Sequence, residues 1–513
     1  MRLTNGPSSA EHGPGDGSAR SGGEQQELRL RDAVQADDQR PEVAPVRLVP
    51  SQPERPSMPT ARRTRSDRRF DAFGSRVAFR VRVAIASANR RSSAAGPALC
   101  SHAFPDEHCE DHVTANDDGA PDATGRLLDD WRNAAYNCFS SGHKFCREVC
   151  PVLQVTHDET HSPTAFHANV VAIDKGLMTI EDVAADYVNC TQCGACELRC
   201  PNTIFAGDFY RFRTRTVDLV KAMRTLAVDS GIHQAGWERW NLATDELKSE
   251  PVLEGVSQEH VADWAAELGI AIGGETILFC DCEAAFYRTS QPKAVARLLQ
   301  AAGVEFGLMR EQWCCGGPAA EMGYAEQARR FAEHNVADWR AVGAKRILVL
   351  DPHDYITFTE DYPRYFGDDY EFEIVLVIEL VAELIRDGRI ALTVPVERRA
   401  TYHDPCRLNK RKGIHREPRE IMRAIPGLTF ADVDHVTQWG YCSGACGGLG
   451  IERPDLTAAI SARRIEQAAT LDVDLLVSAC VWSERPLSEQ GVERAIEVCD
   501  LMELVAQAAG FDH

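Results

Sequence analysis

The tightest constraint on this chain is a run of four cysteines, Cys190, Cys193, Cys196 and Cys200, closed by Pro201 in the string C-T-Q-C-G-A-C-E-L-R-C-P. Thiolates at this spacing suit a [4Fe–4S] cubane. Three of them wrap a turn of chain around three irons, and the fourth, after a longer gap, points away toward a second cluster. A structural zinc knot is the competing reading, and the spacing with its trailing proline favours iron–sulfur.

A second motif should therefore lie elsewhere, and one does upstream: N-C-F-S-S-G-H-K-F-C-R-E-V-C-P, from Asn137 to Pro151. Its end, Cys146 to Cys150 and Pro151, is regular, but stepping back by threes from Cys146 meets His143 and Ser140 instead of cysteines. The expected ligand sets cross between the motifs. One cluster takes Cys190, Cys193, Cys196 and Cys150; the other takes Cys138, Cys146 and Cys200, with His143 as the candidate fourth ligand. An imidazole in place of a thiolate would raise that cluster's potential. The competing reading makes His143 a hydrogen-bonding residue beside a three-cysteine cluster.

The 513 residues suffice for two to four domains, each with its own core. A formal charge of −21 argues against nucleic acid as the main partner, because phosphate binding needs clustered positive charge. The longest apolar stretch, Ile374 to Leu384, is interrupted by Glu379 and Glu383, so no transmembrane segment is expected. The start, M-R-L-T-N-G-P-S-S-A, lacks the apolar centre of a signal peptide. With 18 cysteines, many in C-x-x-C spacing, this points to a reducing compartment and metal ligation rather than disulfides. A cytoplasmic protein is expected, at most peripheral at the inner face of a membrane.

Residues 1–125 are rich in Gly, Ser, Pro, Asp and Arg and read as a disordered tail, with one strand-like stretch at Val77–Ala88 and an arginine cluster at Ala61–Arg69. Cys100, His102, His108, Cys109 and His112 are ligand types without a zinc spacing. Residues 126–245 read as helical: Thr179 can cap a helix that delivers Cys190 at its end, and a second helix is expected over Asp208–Val228. After a linker at 246–272, short apolar strands alternate with amphipathic helices, which predicts an α/β fold. The strands expected are Thr276–Cys282, Arg346–Asp351, Ala400–Cys406 and Asp474–Cys480. The helices expected are Pro292–Ala302, Tyr324–Val342, Asp455–Thr470 and Ala495–Ala509, the last carrying Cys499 on its core face.

This half reads as a duplication, 273–395 and 396–513. Cys282 and Cys406 each end a strand, Cys314-Cys315-Gly316-Gly317 and Cys442-Ser443-Gly444-Ala445-Cys446-Gly447 follow, and Asp351 and Cys480 end the next strand. In open α/β sheets, sites form beyond the carboxyl ends of strands, where these cysteines fall.

A ferredoxin pair followed by two such repeats resembles the iron–sulfur subunits of glycolate oxidase and anaerobic glycerol-3-phosphate dehydrogenase. It is also similar to the D-type subunit of heterodisulfide reductase and to lactate-utilisation iron–sulfur proteins. The likeness runs from about residue 130 to the end, carried by Cys190–Pro201, Phe279–Cys282, Trp313–Pro318, Tyr402–Cys406 and Cys442–Gly448. It implies an α-helical ferredoxin domain with two [4Fe–4S] clusters, then a duplicated α/β cysteine-rich domain whose repeats each can hold an iron–sulfur centre. The family repeat is one cysteine, then C-C-G, then C-x-x-C, and both copies here depart from it. Repeat one keeps Cys282, Cys314 and Cys315, with Cys280 as an extra, but has Asp351-Pro-His-Asp354 where C-x-x-C should stand. Those harder ligands open the way to zinc or a mixed-ligand site. Repeat two keeps Cys406, Cys442, Cys446 and Cys480, enough for a cubane or an all-thiolate zinc site, with Ser483 at the last cysteine position. His403 and Asp404 either tune a centre at Cys406 or cap the following turn.

The resemblance implies an electron-transfer subunit or partner of a flavin-dependent dehydrogenase acting on a 2-hydroxy acid or similar substrate. The partner would be that flavoprotein or an electron-transfer flavoprotein, and the acceptor a quinone, a membrane cytochrome or another carrier. No G-x-G-x-x-G follows a strand, so the chain is not expected to hold its own FAD or NAD. The alternative is a heterodisulfide-reductase-like thiol–disulfide reductase with a catalytic centre in the carboxy-terminal repeats. A third reading is a scaffold with zinc in the repeats.

Overall fold

Where the first cysteine motif ends, a four-residue helix, Cys146–Val149, stops at Cys150, whose extended backbone (φ −73, ψ 114) precedes Pro151 at the start of the next helix. The second motif repeats this device: the helix Ala195–Arg199 ends at Cys200, extended at φ −83 and ψ 117, just before Pro201. Proline fits the first turn of a helix, where its missing N–H costs nothing. The break it enforces turns the last thiol of each motif away from those before it. These details come from a computed structural model that describes residues 123–202, 214–251, 260–286, 288–432 and 440–511. The tail, its strand-like stretch at 77–88, the arginine cluster and Cys100, His102, His108, Cys109 and His112 lie outside the described residues.

Longer helices hold the two motifs. Ser162 caps the helix Pro163–Asp174 by accepting from the Ala165 N–H at 3.1 Å. The Asp182 carboxylate accepts from the Thr179 N–H at 2.8 Å, opening the helix Ile180–Val188 that hands the chain to Cys190. These helices, with Ala123–Ser140 and Thr216–Asp229, bury Trp131, Phe166, Val170, Tyr187, Leu219 and Met223 in a small core. The helix expected from Asp208 begins at Thr216; residues 203–213 lie outside the described residues.

The carboxy-terminal half contains two all-parallel sheets. The first has the order β1-β3-β2-β4-β5. Its strands are Ala271–Ile272, Thr276–Phe279, Gly307–Leu308, Arg346–Val349 and Glu373–Leu376, numbered β1 to β5 along the chain. The second, with strands β6 to β9 at Arg399–Tyr402, Thr429–Phe430, Leu475–Ser478 and Glu497–Asp500, has the order β7-β6-β8-β9. This matches β3-β2-β4-β5, so the duplication seen in the cysteines is a duplication of topology. The span expected as a linker supplies the helix His260–Glu267 and edge strand β1. Both sheets contribute to one apolar core, with Ile347, Leu348, Val477 and Leu501 fully or almost fully buried.

The expected helix Ala495–Ala509 is corrected: its first half is strand β9, and only Leu501–Ala508 is helical. Cys499 accordingly lies on β9, half-buried and packed against the core. The stretch Glu497–Asp500 is too short for its alternation to show against the helical pattern that follows.

At this strand end Asp500 caps the last helix. Its Oδ1 accepts from the N–H groups of Met502 (2.7 Å) and Glu503 (3.2 Å), and its Oδ2 accepts from Gln291 Nε2 at 2.9 Å. Burial pushes this carboxyl from 3.8 up to about 7. The folded state thus binds a proton that the unfolded chain has released, so this group's contribution to stability falls as pH rises from 3.8 to about 7 and is level above. Asn at this position keeps the cap and can meet Gln291 Oε1, which is buried without a partner. Thermal unfolding of D500N should show a gain over the native chain that grows across that pH range and then stays constant. A difference independent of pH would refute the assignment.

Arg224, on the helix Thr216–Asp229, ties the helical module to both repeats. It is 2% exposed, and its guanidinium donates to the carbonyls of Tyr187, Val188, Cys190, Glu321 and Gly447 at 2.7–3.3 Å. Gly447 is required at this junction: its φ is +71, and a Cβ there would stand 2.6 Å from the Cys190 carbonyl oxygen.

Candidate metal centres

The two extended cysteines place their thiols across the module. One cavity is lined by Cys150, Cys190, Cys193 and Cys196 together with Gly194 and Phe166. The other is lined by Cys138, His143, Cys146 and Cys200, with Cys196 on the shared wall. The first cavity therefore gathers three thiols of the downstream motif and the last of the upstream one, and the second gathers two thiols and His143 of the upstream motif with the last thiol of the downstream one. Burial drives the Cys138 and Cys150 thiols up to about 12. Thiols so confined are neutral without a cation and give up their protons to bind one. The Gln192 N–H already points at Cys190 Sγ from 3.3 Å, as expected around a cluster sulfur. The donor sets fit two [4Fe–4S] clusters.

His143 reaches its cavity wall, stacks on Phe145 and holds its Nε2 3.3 Å from Asn202 Oδ1. Asn202 follows directly after the second motif and was not singled out from sequence. Phe139 and Phe145, 55% and 45% exposed, leave the motif around this cavity with an apolar surface.

Repeat two adjoins the first cavity. Cys150 and Cys193 share one buried cluster with Cys406, Cys442, Cys446, Leu449 and Ile460. Hydrogen bonds from Cys193 and Cys406 hold the Cys442 thiol well below its ordinary range, helped by the Lys410 ammonium and the Gly444 N–H at 3.3 Å. The bond from Cys406, with Arg407 nearby, brings Cys446 down to about 7 although burial opposes it. Cys480 interacts electrostatically with Cys446 and is also within hydrogen-bond reach of Asp351, across the repeat boundary.

Comparing the repeats locates the missing ligands. The Gly316 N–H lies 3.5 Å from Cys314 Sγ and the Gly317 N–H 3.3 Å from Cys315 Sγ. In repeat two the Gly444 N–H meets Cys442 Sγ and the Ala445 N–H meets Ser443 Oγ at 3.5 Å. Ser443 therefore occupies the place of Cys315, and Cys446 is an addition. Ser443 and Ser483 bond each other through their hydroxyls at 3.0 Å, both buried. In repeat one the same two places hold Cys315 and Asp354, with His353 between. Asp404, open as a tuning or capping residue, instead makes a double ion pair with Arg419 at 2.7 and 2.8 Å. His403 Nδ1 lies 3.3 Å from Arg464 Nε.

Between the repeats runs an open cleft of about 260 Å³, whose walls include Glu321, His353, Cys446, Trp482 and Arg485. Glu321 organises its floor: its carboxylate pairs with Arg407, lies 3.2 Å from His353 Nε2 and accepts from the Gly447 N–H at 3.2 Å. Glu321, Arg407 and Lys410 escape sequence reading, because their partners lie far away along the chain. Among the described residues no helix is long and apolar enough to cross a membrane.

Residues 134–204 match the model of the 4Fe-4S dicluster domain, and residues 277–359 and 400–482 each match the cysteine-rich CCG domain. The chain is 30% identical over 340 residues to the D-type subunit of the dihydromethanophenazine:CoB–CoM heterodisulfide reductase of Methanosarcina mazei, an alignment covering 65% of this chain and 80% of that one. It is 27% identical to the B-type subunit of the fumarate reductase (CoM/CoB) of Methanothermobacter marburgensis, covering 73% and 72%. It is also 27% identical to the EtfAB:quinone oxidoreductase of Syntrophomonas wolfei, covering 61% of this chain and 48% of the other.

Proposed function

The chain belongs to the iron–sulfur oxidoreductase family that joins a 4Fe-4S dicluster domain to two cysteine-rich CCG domains, and on that premise we propose that it is the electron-transfer subunit or partner of a flavin-dependent dehydrogenase. The flavoprotein would oxidise a 2-hydroxy acid or a similar small molecule, and a quinone or other carrier would be the acceptor. When bound, [4Fe–4S] clusters supply one-electron carriers. The observation that carries this reading is the single apolar cluster uniting Cys150 and Cys193 with Cys406, Cys442 and Cys446.

The chain's own residues supply the setting. Cys150, Cys190, Cys193 and Cys196 would hold one cluster, and Cys138, Cys146 and Cys200 with His143 the other. Arg224 locks the Cys190 loop against both repeats, which fixes the distance between sites. Lys410, 6% exposed, has its ammonium buried without a hydrogen-bond partner, and it acts electrostatically on both Cys193 and Cys442. A fixed positive charge there favours an added electron. Exposed Phe139 and Phe145, which flank Cys138 and His143 in the chain, offer the flavoprotein an apolar docking surface.

A second reading, a thiol–disulfide reductase, is favoured by Cys446, which lines the open cleft and has its thiol held at about 7. One anaerobic experiment separates the two. A reduced electron-transfer flavoprotein should bleach the visible absorption of the full chain, and a quinone analogue should restore it. Failure of that bleaching, with turnover of a small disulfide by the reduced chain, would replace the first reading with the second.

A further inference from the structure

We propose that repeat one holds a single zinc ion, bound by Cys315, His353 and Asp354, in place of the iron–sulfur centre the family repeat implies. One ligand atom from each of the three side chains lies within 4.8 Å of the other two. All three residues are buried, at 4%, 7% and 3% exposure. Bonds of about 2.0–2.3 Å set tetrahedral zinc ligands roughly 3.3–3.8 Å apart, so the trio closes on a metal by moving no more than about 1.5 Å.

The surroundings are built for a cation. Asp354 keeps its Oδ2 buried without a hydrogen-bond donor, and so does Asp281 nearby. A buried carboxylate oxygen left unpaired is costly, and a divalent metal removes that cost. Gly317 makes room for the imidazole: a Cβ there would stand 2.9 Å from His353 Cε1. Asp351 accepts from the His353 N–H at 2.7 Å, fixing the backbone from which the ring projects. The Glu321 carboxylate, 3.2 Å from Nε2, can orient the ring as carboxylates orient ligating histidines.

Cys314 hydrogen-bonds both Cys315 and Cys282, so two further thiols stand beside the trio, and what distinguishes the trio is its imidazole and carboxylate. One thiolate, one imidazole and one carboxylate form a borderline set that suits zinc, whereas iron–sulfur clusters are held mainly by thiolates. Repeat two shows the contrast: at the places of Cys315 and Asp354 it has the closed Ser443–Ser483 pair, with no imidazole between, because Trp482 stands where His353 does. Three protein ligands leave one coordination position, the arrangement of zinc sites that bind a reacting group. His353 also lines the cleft between the repeats.

The test measures zinc and iron in the same anaerobically purified full chain, native and as H353Q and D354N. About one zinc per chain is expected in the native protein. Both variants should lose most of it while iron and visible absorption stay unchanged, so the retained clusters report that the variants fold. X-ray absorption at the zinc edge should show one sulfur with nitrogen and oxygen neighbours. Zinc absent from the native chain, zinc retained in both variants, or an all-sulfur zinc shell would overturn the proposal. So would iron falling in step with either substitution, since the trio would then belong to an iron centre. None of these readouts depends on the electron partner, so the zinc site and the proposed function stand or fall separately.

Discussion

The double variant C150A/C193A should lose about four irons per chain, and C150A/C146A about eight. The difference follows from the crossing of the fourth thiols. Cys150 lies in the first motif but lines the cavity of Cys190, Cys193 and Cys196, while Cys146 lines the cavity with Cys138 and Cys200. Removing Cys150 and Cys193 strips two ligands from one cluster and spares the other; removing Cys150 and Cys146 takes one ligand from each. Iron analysis with EPR of the reduced protein reads the result. The reverse order of losses would mean that each motif closes on itself, and the two-cavity assignment would fail.

R224M should be the most destabilising single substitution at the junction between the helical module and the repeats. Methionine approximates the buried stem but orphans the carbonyls of Tyr187, Cys190 and Gly447, while those of Val188 and Glu321 keep the Cys190 N–H and Gln192 Nε2 as donors, each at 2.8 Å. Each orphaned carbonyl costs on the order of 1–3 kcal/mol, which sums to several kcal/mol. R224K, with a shorter reach and fewer donors in fixed geometry, should fall between. Denaturant unfolding of the iron-loaded chain checks this, and an R224M stability within about 1 kcal/mol of native would contradict it.

Much of this architecture was readable because metal ligands and helix caps are local. The spacing of Cys190 to Cys200, with its proline, announces both the helix breaks and the crossed thiols, and Thr179 with Asp182 announces the helix that presents them. The repeat topology followed from the recurrence of Cys282 at Cys406 and of Asp351 at Cys480. The contacts that decide the chemistry were not readable. Glu321 meets Arg407 and His353 only after two repeats pack together. Cys480 reaches Asp351 only across the boundary between the repeats. Cys446 reads as one of the repeat's own ligand thiols, because nothing local shows that Ser443 sits at the Cys315 position. Strand β9 was missed for a related reason: a four-residue strand is decided by its neighbour β8, not by its own pattern.

The bond between Ser443 and Ser483 makes the divergence of the two copies hard to undo. Restoring a cysteine at either position alone would replace one hydroxyl of a buried pair with a weaker partner and return only half of a ligand set, so each reversion is penalised before the other can reward it. The bond works as a ratchet: from the two serines, a pair of thiols at these places is reached only by two changes at once.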